Sequence, residues 1–296
     1  MLWQCSSLMV FRITRVLSYI TSEIYSVKPL PNDRMASILG RVKSDLSEWR
    51  AQLPPFLGSI NPSSLASPFC KQAIMLRLAY SHVVIHASRP LLLGTIGGSS
   101  ESPDATNEEI SDCISSARLV LETVDSMASE DPGFHVFWWC HYVCFCALAV
   151  VYIWEIQRHL STLYGQDYHE QLFELAERCQ THLAEATTSN SPGRRYSIIL
   201  QELQAEAKRT MAGSALRSLS QHNGRQSSEC DDIRAEGRDP TTRSHISQSA
   251  SEAVDIDNLV VTQHQLWNNW QTTDWLEINS LVSFKIVLYQ HLSDFS

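Results

Sequence analysis

The sequence predicts an all-α fold: a multi-helix domain with a buried apolar central helix and a disordered insert. Three observations point there. Apolar residues recur at three- and four-residue steps in successive blocks. No run alternates at period two for long enough to make a strand, and no repeat of fixed length is visible. Gly and Pro, 11 each in 296 residues, fall mostly between the periodic blocks.

The first helix is expected over Met9 to Tyr25, with Ile13, Val16, Leu17, Ile20 and Ile24 on one face, and Pro29 and Pro31 end it. Asn32 or Asp33 is expected to cap the second, which carries Met35, Ile38, Leu39, Val42, Leu46, Trp49 and Leu53 and stops at Pro54-Pro55. After a loop rich in Ser and Pro, Ser67-Pro68 reads as N-cap and first helical position of a third helix. That helix is expected to finish at about Ser88, because Pro90 disfavours helical dihedrals at Arg89. Gly94 to Thr106 is expected to be a loop. Asn107 then opens a fourth helix, with Glu108 and Glu109 on its positive end. Its apolar face runs from Ile110 to Met127, and Asp131-Pro132-Gly133 breaks it.

From Val136 to Trp154 the chain carries no acid, Lys or Arg. That is about the length of a bilayer span. His141 in the run and the amphipathic helices on either side favour a buried central helix, apolar all round, continuing to about His159. The alternative is a single-span membrane protein using residues 136–154. Tyr168 to Ala186 marks a further amphipathic helix, Asn190-Ser191-Pro192-Gly193 ends it, and Tyr196 to Lys208 supplies one more. The organisation expected is a helical domain over 1–210, an unstructured Ser/Arg/Asp-rich insert over 211–257, and a Trp-rich helical segment over 258–296 that packs on the domain. The insert has too few large apolar residues to offset its ordering entropy.

Composition bounds the chemistry. With 23 Lys plus Arg against 32 Asp plus Glu, the net charge of −9 offers no field for a phosphate backbone, so no direct DNA contact is expected of this chain. The 8 cysteines are scattered and no permitted Asn-x-Ser/Thr acceptor occurs, as in a reducing compartment. Met1 to Val10 has no basic leader, and Arg12 and Arg15 interrupt any signal-like apolar run.

Three clusters could hold a metal. Cys140, His141, Cys144 and Cys146, with His135 nearby, form the first, but on a helix Cys146 is rotated by about 200° from Cys144. Only two ligands then converge, against the four of a structural zinc site, so core cysteines are expected. His82 and His86 stand four apart without the carboxylate of a His-Glu-x-x-His helix, and read as a packed pair. Asp231-Asp232 with Glu236 faintly resembles the magnesium motif of helical terpene cyclases, but the spacing is off and the second motif is missing. There is no Gly-x-Ser-x-Gly elbow, Gly-x-Gly-x-x-Gly turn or phosphate loop. No catalytic, cofactor-binding or metal-binding residue is assigned, and no enzyme is expected.

The run Met75-Leu76-Arg77-Leu78-Ala79-Tyr80-Ser81-His82-Val83-Val84-Ile85-His86-Ala87-Ser88-Arg89-Pro90-Leu91-Leu92 is similar to a stretch of the fungal-specific transcription factor domain. This domain is the middle homology region that lies downstream of a binuclear zinc-cluster module. Ser22-Glu23-Ile24-Tyr25-Ser26, Trp49-Arg50-Ala51-Gln52-Leu53-Pro54 and the order of Ala117 to Met127 before an apolar aromatic helix resemble it too. The resemblance spans about residues 8 to 165 and, more loosely, the Trp-rich C-terminus. It implies regulation of transcription in the nucleus by a body that senses a metabolite or restrains an activator. Implied partners are a small-molecule effector, the transcription machinery or co-regulators, and a second copy in a homodimer. The cytoplasm stays open, because no strong basic localisation run is present.

The sequence departs from that family in having no Cys-x-x-Cys, no six-cysteine cluster and no basic block. Zinc is therefore expected only in a longer relative that carries the cluster. The chain starts almost directly in the helix of Ile13 to Tyr25, which leaves an internal start, a truncated gene model and a shortened paralogue as readings of Met1.

Overall fold

Apolar periodicity becomes eight α-helices, with no strand among the described residues. The structure is a computed structural model that describes residues 2–25, 30–58, 62–94, 103–130, 138–160, 169–187 and 193–227. The helices are α1 (Leu2–Glu23), α2 (Asn32–Ala51), the one-turn α3 (Pro55–Gly58), α4 (Ser67–Gly94), α5 (Pro103–Glu130), α6 (Trp138–Leu160), α7 (His169–Ala186) and α8 (Gly193–Ser227), with a 3₁₀ turn at Pro62–Ser64. The chain divides into two units, residues 1–215 with 284–296, and residues 216–283. Of the second unit, only the end of α8 is described.

Within the first unit α4 and α5 pack side by side, and both touch α6; α7 lies against α5 and α6, while α1 contacts α2 and α4. Each amphipathic helix turns its periodic face inward. Ile13, Leu17 and Ile20 of α1, Val42, Leu46 and Trp49 of α2, and Val120, Leu121 and Val124 of α5 are buried. In α8 the buried stripe is Tyr196, Leu200, Leu203 and Ala207, the spacing of one helical face. Every residue from Trp139 to Ile156 in α6 is buried. The window from Trp139 to Gln157 has the length and hydropathy of a membrane span, yet all of it is enclosed by the other helices. Protein already covers the apolar surface, so length and composition do not call for a bilayer.

Directed polar bonds fix the packing. The Trp49 indole donates to the Met9 carbonyl at 2.8 Å, tying α2 to α1, and stacks on Tyr80 of α4 at 5.9 Å between centroids. Lys43 of α2 reaches Glu108 of α5 at 2.9 Å. Asp125 of α5 takes Arg178 at 3.2 Å and His182 at 3.0 Å, both from α7.

Several expected boundaries move. The expected Asn32 or Asp33 cap is replaced by extended Pro31, whose carbonyl accepts from the Met35 N–H, and no side chain caps the helix. Asp33 instead occupies the first turn, on the positive end. Likewise the Ala66 carbonyl accepts from Phe69 and Cys70, so Ser67 and Pro68 are the first two helical positions. Proline is tolerated there because the first-turn N–H groups have no intrahelical acceptor. α5 opens at Pro103 instead of Asn107, with Glu108 and Glu109 one turn in. Short helices fill the Ser/Pro loop.

The region expected to be unstructured from residue 211 is helical through Ser227. Met, Ala, Leu, Arg and Gln, 9 of the 17 residues from 211 to 227, favour the helical backbone. The remainder of the insert, 228–257, and the C-terminal segment 258–296 lie outside the described residues.

The largest correction is at Pro90. α4 does not stop at Ser88 but continues to Gly94 with Pro90 inside it. An interior proline costs ~3 kcal/mol, in part because it has no N–H for the carbonyl four residues back. That carbonyl belongs to His86, and the Tyr25 hydroxyl at the end of α1 donates to it at 2.9 Å. A side chain from another helix thus satisfies the acceptor that proline orphans. One turn beyond, Gln157 of α6 donates to the Leu92 carbonyl.

Tyr25→Phe keeps the ring beneath Arg89 and removes only the hydroxyl, and should lower stability by about 1–2 kcal/mol. In a Pro90→Ala background, where residue 90 regains an N–H, the loss should be smaller by about 0.5–1 kcal/mol, leaving mainly the Arg89 hydrogen bond to the same hydroxyl. Urea unfolding of the four proteins measures both; equal losses in the two backgrounds would refute the compensation.

Candidate functional site

The buried polar side chains concentrate where α4 crosses α6. On α4, Ser81, His82, His86, Ser88 and Arg89 are all buried, an unusual density for a helix interior. His82 and His86 lie one turn apart, so their rings meet edge to face with centroids 4.4 Å apart. From α6, Tyr142 stands 5.4 Å from the His82 ring, and its hydroxyl is 3.3 Å from His86 Nε2. The same Tyr142 hydrogen-bonds the Cys146 thiol one turn further along α6. Tyr25 from α1 meets His86 edge-on at 6.0 Å, and the Arg89 guanidinium lies 5.0 Å over the Tyr25 ring. Tyr196 of α8 stacks on Phe145 at 4.6 Å and closes the far side.

Burial sets the charge state of this cluster. It is the main cause that lowers His82 to about 3, with the Arg89 cation adding to it. His86 is also held well below its ordinary value by burial, then by His82 and Arg89. Both imidazoles are neutral and keep one lone pair each. Burial also pushes the Cys146 thiol up to about 11, although Arg89 and the Tyr142 hydrogen bond pull the other way. A shielded, protonated thiol is not the thiolate that a nucleophile requires. Two ring nitrogens, His82 Nε2 and His86 Nδ1, are buried without a hydrogen-bond partner. Leaving such a group unsatisfied costs about 1–3 kcal/mol, so a fold that keeps two of them calls for a reason.

The cysteines expected to share a face behave as packing residues. Cys140 is fully buried and raised to about 12 by burial, and Cys144 is raised well above its ordinary value by burial and then by neighbouring Cys179. Cys179 itself donates to the Leu121 carbonyl at 3.3 Å. Cys146 looks the other way, as its rotation from Cys144 predicts, and joins His82 and His86 instead. His141 is buried on α6. His135 and the acidic group Asp231, Asp232 and Glu236 lie outside the described residues. The sequence names all three members of the new grouping, but in two separate clusters. Local spacing carries no signal of which turn of α4 meets which turn of α6.

A second feature is a cleft of about 310 Å³ between α2, α4 and α5. Leu39, Val42, Val84 and Leu119 line it, together with Lys43 and two of its carboxylate partners, Glu109 and Asp112. The buried Ser81 hydroxyl, which has no hydrogen-bond partner, also lines it.

The histidine cluster should make stability fall with acidity. The folded-state values are depressed, whereas in the unfolded chain both histidines titrate near 6.5. Below about pH 6.5 the unfolded state therefore binds protons that the folded state refuses, and stability is lost until pH reaches the folded values. The expected slope is up to about 1.4 kcal/mol per pH unit for each histidine. Urea midpoints between pH 7 and 5 measure it, and His82→Gln should flatten the slope by about one proton; an unchanged slope would count against the assignment.

No family model matches the chain, and no solved structure matches it. It is similar to an uncharacterized transcriptional regulatory protein of Schizosaccharomyces pombe, 28% identical over 115 residues. The match covers 38% of this chain and 14% of the relative, so the chain spans a small part of the relative's length. That similarity hints at a transcription regulator.

Proposed function

We propose that this chain is the regulatory body of a fungal-type transcription factor, acts in the nucleus, and controls transcription without a DNA-binding zinc cluster of its own. The observation that carries this reading is the similarity to the transcriptional regulatory protein of Schizosaccharomyces pombe. Two features of the molecule support it. Its helical architecture, built around an apolar aromatic helix, is what the resemblance to the fungal regulatory domain implies. Its net charge of −9 opposes the approach of a phosphate backbone.

On this reading the chain works by binding and not by catalysis. The cleft between α2, α4 and α5 has the size of a small-ligand site and would take a mainly apolar effector with one hydrogen-bonding group for Ser81. Co-regulators, the transcription machinery or a second copy of the chain would bind the outer faces of the helices.

Fusing the chain to an unrelated DNA-binding module and placing its operator upstream of a reporter tests the proposal. A several-fold change in transcription is expected, together with nuclear accumulation of the chain. The purified chain alone should show no salt-dependent shift of duplex DNA. A nuclear fusion that leaves the reporter unchanged, or sequence-selective DNA binding by the chain alone, would overturn it.

A further inference from the structure

His82, His86 and Cys146 converge on one point from two helices. Their donor atoms all lie within 4.8 Å of one another, and all three residues are buried. Donors around a three-coordinate ion stand about 3.5–3.8 Å apart, given metal–nitrogen and metal–sulfur bonds of about 2.0 and 2.3 Å. Small side-chain rotations close that gap. Each histidine of this group also has one buried ring nitrogen without a hydrogen-bond partner, His82 Nε2 and His86 Nδ1. The contacts of Tyr142 explain which nitrogen of His86 is left over. His86 Nε2 faces the Tyr142 oxygen at 3.3 Å, and Tyr142 hydrogen-bonds the Cys146 sulfur. With Cys146 as the thiolate, one pattern of protons satisfies both contacts: Nε2–H donates to the tyrosine oxygen, whose own O–H donates to sulfur. His86 Nδ1 then carries a lone pair with nothing to accept, and the tyrosine orients both donors from outside, as supporting partners do in metal sites.

We propose that His82 Nε2, His86 Nδ1 and Cys146 Sγ form a buried three-coordinate site for a single monovalent copper ion. Charge selects the ion. Two neutral imidazoles and one thiolate balance one positive charge, so a bound Cu(I) leaves the site electrically neutral. A divalent ion with the same donors leaves a net positive charge buried near the Arg89 cation, which burial and repulsion both oppose. Thiolate and imidazole together also match the soft preference of Cu(I). Binding forms one copper–sulfur and two copper–nitrogen bonds and breaks the Cys146 S–H bond, the proton leaving to solvent; no electron is transferred. The site does not depend on the transcription reading, and its bond network would lock α4 to α6.

The full-length reduced chain is titrated anaerobically with Cu(I) in competition with a chromogenic Cu(I) chelator. Copper is supplied both to the folded protein and during refolding, because burial slows entry. One equivalent should be withheld from the chelator, and X-ray absorption at the copper edge should show two nitrogen neighbours and one sulfur neighbour. Cys146→Ser should weaken retention at least 100-fold. Cys144→Ser, on the face turned towards Cys179, should retain copper as the wild type does, with circular dichroism confirming that both variants are helical. Should Cys146→Ser not fold, the neighbours counted in the wild-type spectrum decide. No retained equivalent, equal retention by Cys146→Ser, two or more sulfur neighbours, or retention of Zn²⁺ in preference to copper would each overturn the assignment.

Discussion

A helix without a polar face has to be covered on every side, and α6 imposes that constraint on the rest of the chain. From Trp139 to Ile156 there is no side that could be left to water. Each Val, Leu, Ile or Phe enclosed there contributes about 1.5–3 kcal/mol relative to exposure. α4, α5 and α7 provide three walls, and Tyr196 of α8 lies over Phe145. The outer helices can be amphipathic because each keeps one face towards water. α1 and α2 then form a further layer on α4, joined by the Trp49 indole.

Covering α6 also explains why α4 runs past its proline. A helix that ended at Ser88 would leave the final turns of α6 without Leu92, which is fully buried, and without the carbonyl that Gln157 uses. The chain keeps the longer helix and meets the cost locally with the Tyr25 hydroxyl. The same turn of α4 carries His86 and Arg89, so the helix defect and the polar cluster share one location. Tyr25 serves both, bonded to the His86 carbonyl and lying beneath Arg89.

Periodicity in the sequence places the middle of each long helix, because a stripe at three- and four-residue steps needs no knowledge of the partner, but not every end: α1 begins at Leu2 instead of Met9, and α8 runs to Ser227 instead of Lys208. What it misjudged depends on partners. Pro90 reads as a stop because its missing N–H is a local fact, whereas the hydroxyl that compensates lies 61 residues from the carbonyl it serves. Asn32 and Ser67 look like caps by residue type, yet the carbonyl of the preceding residue starts each helix. Cys146 was correctly turned away from Cys144 by helix geometry. That it turns towards His82 and His86 is set by how α4 and α6 cross, and no spacing within either helix encodes it. The fold was therefore more legible than the site.

The bond between Tyr25 and the turn before Pro90 also gives the chain a memory of the order in which it can change. A descendant that replaces Pro90 first restores the backbone donor, after which the His86 carbonyl no longer depends on the Tyr25 hydroxyl. A descendant that loses the Tyr25 hydroxyl first strands a buried acceptor, and selection meets a destabilised intermediate. Two positions far apart in the chain are thereby coupled, with one route between their states open and the reverse route obstructed.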